Sequence, residues 1–156
     1  MDSKQLIAYA CERLGIQSLN AMQQASIETC QKQQDVILLA PTGSGKTLAY
    51  LIPLFSRIEP QASRTQALII VPTRELAQQV EQVARTIASG YRIVCCYGGH
   101  SFRDEARSLE TTADVVLGTP GRLLDHVQRG RLSLENVDTL ILDEFDKSLE
   151  LGFHSE

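Results

Sequence analysis

Residues 36–47 read Val-Ile-Leu-Leu-Ala-Pro-Thr-Gly-Ser-Gly-Lys-Thr, a short apolar run followed at once by a glycine-rich turn. A continuous apolar run of this length is typical of a strand buried on both faces, and residues 46–58 follow as a helix candidate. The glycines let the backbone curl, so that its amide groups face one point at the N-terminus of that helix. The stretch therefore predicts a phosphate-binding loop between a strand and a helix.

Each position of this loop suits a nucleotide. Lys46 can reach the β- and γ-phosphates, and the Thr47 hydroxyl can bind Mg²⁺. The backbone amides supply the rest of the phosphate site. The predicted nucleotide-binding residues of the loop are Thr42, Gly43, Ser44, Gly45, Lys46 and Thr47.

Four further apolar runs follow along the chain, and helical patterns separate them. The runs are 67–71, 93–97, 115–118 and 139–143, and the helix candidates are 21–32, 73–89, 101–110 and 119–127. Strands that alternate with helices predict an α/β fold with a mostly parallel central sheet and helices on both faces. The polar loop at 59–66 does not have the composition of a linker, so we expect residues 1–156 to form one domain.

The carboxyl ends of parallel strands are the place where ligands bind in such sheets. Asp143 and Glu144 follow the last apolar run. A carboxylate at that position can hold Mg²⁺, and a neighbouring one can orient or deprotonate an attacking water. Together with the phosphate loop, the pair predicts an ATPase or a GTPase, and the sequence has no Asn-Lys-x-Asp guanine-reading motif.

Three other strand ends carry small residues, hydroxyls and arginines. They are Pro72-Thr73-Arg74, Gly98-Gly99 and Thr119-Pro120-Gly121-Arg122. One such segment is usually a helix cap, but three at the same edge of one sheet suggest a track for an extended polyanion. The net charge of −4 does not exclude this, because a local groove makes the contact.

Composition limits the other classes of protein. The chain has 156 residues, 43% hydrophobic and 22% charged, which is typical of a globular domain and excludes disordered, collagen-like and coiled-coil proteins. The N-terminus does not resemble a signal peptide and no apolar run could span a membrane, so we expect a cytoplasmic protein. The four cysteines form no CxxC pair, which favours free thiols over a disulfide framework or a zinc site. The scattered histidines, His100, His126 and His154, are not expected to be ligands.

The segments Ala-Pro-Thr-Gly-Ser-Gly-Lys-Thr, Pro-Thr-Arg-Glu-Leu-Ala-Gln-Gln, Gly-Gly, Thr-Pro-Gly-Arg and Asp-Glu-Phe-Asp occur in this order along the whole chain. In this order and spacing they resemble the DEAD-box RNA helicases. The resemblance implies a RecA-like P-loop domain, the first of two in a superfamily 2 motor. Such a motor uses ATP and Mg²⁺ and locally separates RNA strands, which it contacts through the backbone and not through the bases.

The resemblance also assigns residues. Gln23 matches the glutamine that reads adenine upstream of the phosphate loop. Asp143 matches the Mg²⁺ ligand, Glu144 the residue that activates water, and Asp146 the residue that couples this motif to the next one. The residues that match RNA-contacting positions are Pro72, Thr73, Arg74, Gly98, Gly99, Arg103, Thr119, Pro120, Gly121 and Arg122.

The sequence departs from the family pattern in several places. Phe145 replaces the usual alanine, Leu19 stands where proline is usual, and the aromatic residue that usually stacks on adenine would fall before Met1. The Ser-Ala-Thr motif and the second RecA-like domain are absent from the sequence, so we expect a domain that is incomplete at its carboxyl end and nearly inactive by itself. A non-enzymatic ATP-gated RNA clamp and a DNA-directed motor of the same superfamily remain as alternatives.

The absent motif has a structural consequence. In RecA-like sheets, the strand leading to Ser-Ala-Thr lies between the strands predicted at 35–40 and 138–143. Its absence would leave backbone N–H and C=O groups of two central strands without partners, at about 1–3 kcal/mol each. We therefore expect the natural chain to continue past Glu156. In the shorter chain, the two strands should close up or accept a strand from a second chain.

Overall fold

Seven helices and four strands are formed by the residues that the computed structural model describes, which are 2–33, 35–99, 101–150 and 152. The helices are α1 (Ser3–Leu14), α2 (Ala21–Lys32), α3 (Lys46–Arg57), α4 (Arg74–Ile87), α5 (Phe102–Leu109), α6 (Pro120–Gln128) and α7 (Phe145–Glu150). The strands are β1 (Ala67–Ile70), β2 (Ile93–Cys96), β3 (Val115–Gly118) and β4 (Thr139–Leu142). The chain divides into two compact units: Met1–Ile58 with Val83–Ser89, and Glu59–Gln82 with Gly90–Glu156.

The first unit is built around α3, the helix that follows the predicted phosphate loop. Its sequence is apolar on most sides, and Leu51, Ile52 and Phe55 are almost completely buried. Helices α1 and α2 both pack against it. A capping box at Asn20 begins α2, with the Asn20 side chain and the Gln23 side chain each bonding to the other residue's backbone N–H. This packing fixes the helix whose N-terminus carries Lys46.

A proline within α3 is matched by a serine on α2. Pro53 has no N–H, so the carbonyl of Ala49, four residues earlier, loses its usual helical donor. The buried Ser26 hydroxyl donates to that carbonyl at 3.0 Å. An unpaired buried carbonyl would cost about 1–3 kcal/mol. The bond from Ser26 therefore lets the helix accept a proline without an unsatisfied group.

The second unit contains the sheet, whose four strands are parallel and lie in the order β2-β3-β1-β4. Val94, Leu68 and Val116 from three of the strands share a buried core with Leu123 of α6 and with Leu132. Gly118 at the end of β3 allows a close approach, since a Cβ there would collide with the Cys96 carbonyl. The α/β fold with a parallel sheet is therefore confirmed.

The prediction of a strand at 36–40 is wrong, because the structure has no regular secondary structure there. Ile37 and Leu39 are 84% and 88% exposed. An apolar run becomes a strand only beside a partner backbone, and within the described residues no strand pairs with this segment. The other four predicted strands and the five predicted helices are confirmed, with ends shifted by one or two residues.

The predicted central position of the last strand is also wrong. The strand β4 pairs only with β1 and lies at the sheet edge, and Leu140 and Leu142 are more than half exposed.

Helices α1 and α7 were not predicted. The four cysteines are free, and only Cys96 is fully buried. His100 and His154 lie outside the described residues. None of the helices that the structure describes combines the length and the apolar character needed to cross a bilayer.

Candidate functional site

The predicted phosphate loop forms a turn that leads directly into α3. Gly43 and Gly45 have φ values of +81° and +85°, a conformation that side chains with a Cβ rarely adopt. The Ser44 N–H donates to the Pro41 carbonyl at 3.3 Å. The Lys46 ammonium group donates to the Ala40 carbonyl at 2.7 Å. The loop is therefore a tight turn with two glycines at positive φ, and the Lys46 side chain folds back onto the Ala40 carbonyl.

Two side chains of the α2 capping box hold this loop from outside. The Asn20 amide donates to the Ser44 carbonyl at 3.0 Å, and the Gln23 amide donates to the Gly45 carbonyl at 3.1 Å. The oxygen of Gln23 accepts from the Asn20 N–H at 2.9 Å. Because a primary amide can donate two hydrogen bonds and accept two, Gln23 keeps capacity for one further donor and one further acceptor.

Ser44 and Gly45 define the polar lining and the packing of the loop. The Ser44 hydroxyl is buried and has no hydrogen-bond partner within the described part of the chain. A Cβ on Gly45 would lie 2.5 Å from the Gln23 amide nitrogen, so only glycine allows this close packing. A lysine ammonium group, hydroxyls and amides at a helix N-terminus are the donors that a nucleotide phosphate requires.

The predicted Mg²⁺-binding and water-activating acids follow β4. Asp143 is 8% exposed, and its N–H donates to the Ile70 carbonyl at 3.0 Å, which continues the pairing with β1. Glu144 has a φ of +47°, an uncommon value for a residue other than glycine. Its carboxylate accepts a hydrogen bond from the Lys147 ammonium group at 2.7 Å, and this contact raises the pKa of Lys147.

The residues beside these acids are exposed. Asp146, which the resemblance assigns to motif coupling, and Phe145, which replaces the usual alanine, both lie on the surface at the start of α7. Phe145 is 49% exposed. The phenyl ring therefore leaves the backbone pairing of Asp143 intact.

The predicted polyanion track lies in the second unit, and the structure brings its segments together. The Arg74 side chain approaches Gly99, where a Cβ would lie 3.3 Å from the guanidinium group. The Thr119 N–H donates to the Cys96 carbonyl at 3.0 Å, which holds the start of α6 beside the end of β2. Three segments that are far apart in sequence are thus neighbours. Pro72 and Pro120 are buried, so these two residues can contribute only by shaping the backbone.

A cleft of about 590 Å³ opens between α5 and α6. It is lined by five of the predicted residues, Gly98, Arg103, Thr119, Gly121 and Arg122, together with Phe102, Asp125 and Arg129. Three arginines against Asp125 and the buried Glu105, which lies 3.6 Å from Arg122, leave the cleft with an excess of one positive charge on an acidic protein. An anionic backbone is therefore the ligand that its charge favours.

Sequence reasoning missed two buried polar residues below this cleft, Glu105 and His126. Glu105 is 4% exposed and His126 is fully buried, and the Glu105 carboxylate lies 2.8 Å from the His126 ring nitrogen Nε2. A signal for them exists in the sequence. Glu105 lies between Phe102 and Leu109 on one helical face, and His126 follows Leu123 by three residues, so each is a polar residue within an apolar stripe.

Comparisons with known proteins place this chain among related sequences. The profile of the DEAD/DEAH box helicase family matches residues 20–156. The ATP-dependent RNA helicase DeaD of Haemophilus influenzae is 41% identical over 152 residues, which are 96% of this chain and 25% of that protein. The DEAD-box ATP-dependent RNA helicase CshA of Geobacillus kaustophilus is 40% identical over 96% of this chain and 32% of that protein.

A solved structure is also similar. The crystal structure of the yeast DEAD-box splicing factor Prp28 superimposes with a TM-score of 0.84 and 34% sequence identity, covering 93% of this chain and 36% of that one. The chain spans about a quarter to a third of the length of the two curated relatives.

Proposed function

Because this chain belongs to the DEAD/DEAH box helicase family, we propose that it is the ATP-binding part of an ATP-dependent RNA helicase. The intact protein couples ATP hydrolysis to RNA binding and to local strand separation. The observation that carries the proposal is the arginine-lined cleft, where Gly98, Thr119 and Arg122 converge from separate strand ends. This cleft is an anion-binding site in addition to the phosphate loop, and a nucleic-acid backbone is the ligand that would use it.

The phosphate loop would hold ATP through the backbone from Thr42 to Thr47 and through the Lys46 ammonium group. Thr47 and Asp143 would hold Mg²⁺, which neutralises charge on the transferred phosphate. Gln23, already bonded to the loop, uses its remaining donor and acceptor to read adenine. Glu144 accepts a proton from the attacking water, which requires its carboxylate to leave Lys147.

RNA binding would involve the exposed side of the second unit. Arg74, Arg103 and Arg122 bind backbone phosphates, since guanidinium groups match phosphate geometry. Thr73, Thr119 and the exposed glycine backbone at 98, 99 and 121 allow the strand to approach closely. These contacts read no bases, so binding is independent of RNA sequence. We place the protein in the cytoplasm, in agreement with its four free thiols.

The test is ATP turnover by the intact protein with and without single-stranded RNA. RNA should raise turnover at least about tenfold, and DNA of the same sequence should not. Lys46→Ala should abolish turnover because it removes the charge partner of the phosphates. Lys32→Ala, which removes an exposed lysine from the end of α2, is the matched control and should behave as the unaltered protein.

Two results would contradict the proposal. Stimulation by DNA equal to that by RNA would indicate a DNA-directed motor. Binding of both ATP and RNA without any turnover would indicate an ATP-gated clamp.

A further inference from the structure

Glu105 is a buried carboxylate below the cleft and has no role in the proposed chemistry. Its Oε1 atom accepts the Tyr97 N–H at 3.0 Å. Its Oε2 atom lies 2.8 Å from His126 Nε2 and 3.6 Å from Arg122 Nη1. A carboxylate that is 4% exposed would be strongly destabilising without such partners. These contacts therefore fix one position for the side chain.

The three partners belong to the two walls of the cleft. Tyr97 directly precedes the Gly98-Gly99 turn, so its N–H fixes where that turn begins. Arg122 ends the Thr119–Arg122 segment, and His126 lies one turn later on α6. One carboxylate from α5 thus holds both walls at the same time.

Ring contacts extend this arrangement to the surface of the cleft. The Phe102 ring stacks on the His126 ring at a centroid distance of 4.4 Å and an interplanar angle of 9°. The guanidinium groups of Arg129 and Arg122 lie 4.9 Å and 5.6 Å from the Phe102 centroid. Both contacts are within cation–π range, so a shift of His126 would also move the cationic groups of the cleft.

We propose that Glu105 is a positioning residue for RNA: its geometry sets the spacing between the Gly98-Gly99 turn and the Thr119–Arg122 segment. The inference rests on the proposed function of the cleft. The sugar-phosphate backbone allows only a limited range of distances between successive phosphates, so their donors must keep a compatible spacing. Glu105 itself does not contact RNA, since it lies below the cleft and is buried.

A metal ion is the competing explanation for this cluster. Donor atoms of Cys96, Glu105 and His126 lie within 4.8 Å of one another. Arg122 already provides a positive charge 3.6 Å from the carboxylate, which disfavours a cation there. Burial also raises the pKa of the Cys96 thiol to about 12, so the thiolate that a metal requires is costly to form.

Two substitutions separate geometry from charge in the intact protein. Glu105→Gln keeps the length of the side chain and an oxygen acceptor but removes the charge. Glu105→Asp keeps the charge but withdraws the carboxylate by one methylene group. Asp104→Asn, an exposed acid on the same helix, controls for the loss of a negative charge. The readouts are the affinity for a single-stranded RNA, the affinity for a non-hydrolysable ATP analogue, and amide hydrogen exchange at Tyr97.

Positioning predicts that Glu105→Asp weakens RNA binding roughly tenfold and accelerates Tyr97 exchange, because the hydrogen bond lengthens. Glu105→Gln keeps the acceptor for the Tyr97 N–H, so Tyr97 exchange should stay within about twofold of the unaltered protein and RNA affinity should fall less than in Glu105→Asp. Affinity for the ATP analogue should be unchanged in every variant, because none of the described residues that contact Glu105 belongs to the proposed nucleotide site. A purely structural role would alter thermal stability without this split between RNA and nucleotide.

Several results would overturn the inference. Equal RNA affinity in all variants would mean that the spacing of the cleft does not depend on Glu105. A loss in Glu105→Gln alone would mean that charge and not position matters. Zinc in a one-to-one ratio with the purified protein would assign the cluster to a metal. If the unaltered protein binds no RNA, the proposed function fails and this inference falls with it.

Discussion

Replacing Gly45 by alanine should destabilise the first unit more than the same replacement at Gly43. Both glycines have a positive φ, so alanine at either position costs roughly 1–2 kcal/mol in backbone strain. They differ in their surroundings. A Cβ on Gly43 meets nothing within 4 Å, whereas a Cβ on Gly45 would lie 2.5 Å from the Gln23 amide nitrogen.

The additional cost at Gly45 follows from the contacts of Gln23. Displacing this side chain breaks its hydrogen bonds to the Gly45 carbonyl and the Asn20 N–H, worth roughly 0.5–1.5 kcal/mol each. The expected loss is then about 2–5 kcal/mol for Gly45→Ala and about 1–2 kcal/mol for Gly43→Ala. For a chain of this size, each kcal/mol lowers the melting temperature by about 2–4 °C.

The assay is urea and thermal unfolding of both variants, of Gln23→Ala, and of the double variant Gly45→Ala/Gln23→Ala. The double variant removes the obstructing amide, so its loss should be smaller than the sum of the two single losses by about 1 kcal/mol. Affinity for an ATP analogue should fall in the same order as stability. Equal destabilisation at Gly43 and Gly45, or strict additivity in the double variant, would show that Gln23 does not pack against the loop as described.

Three further predictions concern the other sites. Glu144→Gln in the intact protein should bind Mg-ATP but not hydrolyse it, whereas Asp143→Asn should weaken Mg²⁺-dependent binding; identical behaviour in calorimetry and turnover assays would mean that the roles are wrongly assigned. Arg74→Ala should weaken RNA binding equally for all sequences and give a shallower salt dependence, and a sequence-selective loss would contradict backbone recognition. Burial raises the pKa of the Cys96 thiol to about 12, so Cys96 should resist iodoacetamide at pH 8 while the half-buried Cys30 is modified. Mass spectrometry of the labelled protein checks this. Burial favours the neutral form of the Cys96 thiol, so the buried thiol contributes fully to the free energy of unfolding below its ordinary pKa. This contribution is lost as the pH rises from about 9 to about 12. Unchanged stability over that interval would contradict this.

Local signals explain which parts of the structure could be predicted. The starts of α3 and α6 depend on glycine and proline within a few positions, and both helices begin where the sequence predicted. The run at 36–40 has the composition of a strand, but no strand in the described part of the chain pairs with it, and composition alone cannot reveal this. The same holds for β4, whose edge position depends on which other strands are present. The expectation that the chain continues past Glu156 stays a prediction.

The Glu105 cluster was missed for a related reason. Its members come from β2, α5 and α6, and only the packing of these elements brings them together. A polar residue in an apolar stripe indicates that its side chain needs a buried hydrogen-bond partner, but the sequence does not identify that partner. The RNA-binding positions were easier to find, because strand ends of a parallel sheet lie at one edge whatever their separation in sequence.

The pairing of Ser26 with the Ala49 carbonyl constrains how this sequence can change over evolutionary time. Pro53 creates the need for an outside donor, and Ser26 meets it, although the two residues lie on different helices. If the Ser26 hydroxyl is lost first, the buried Ala49 carbonyl has no donor. If Pro53 is replaced by alanine first, the helix regains a backbone donor for that carbonyl and the hydroxyl becomes dispensable. Substitutions at the two positions should therefore be inherited in a fixed order, and homologues with a non-proline residue at 53 should tolerate alanine at 26.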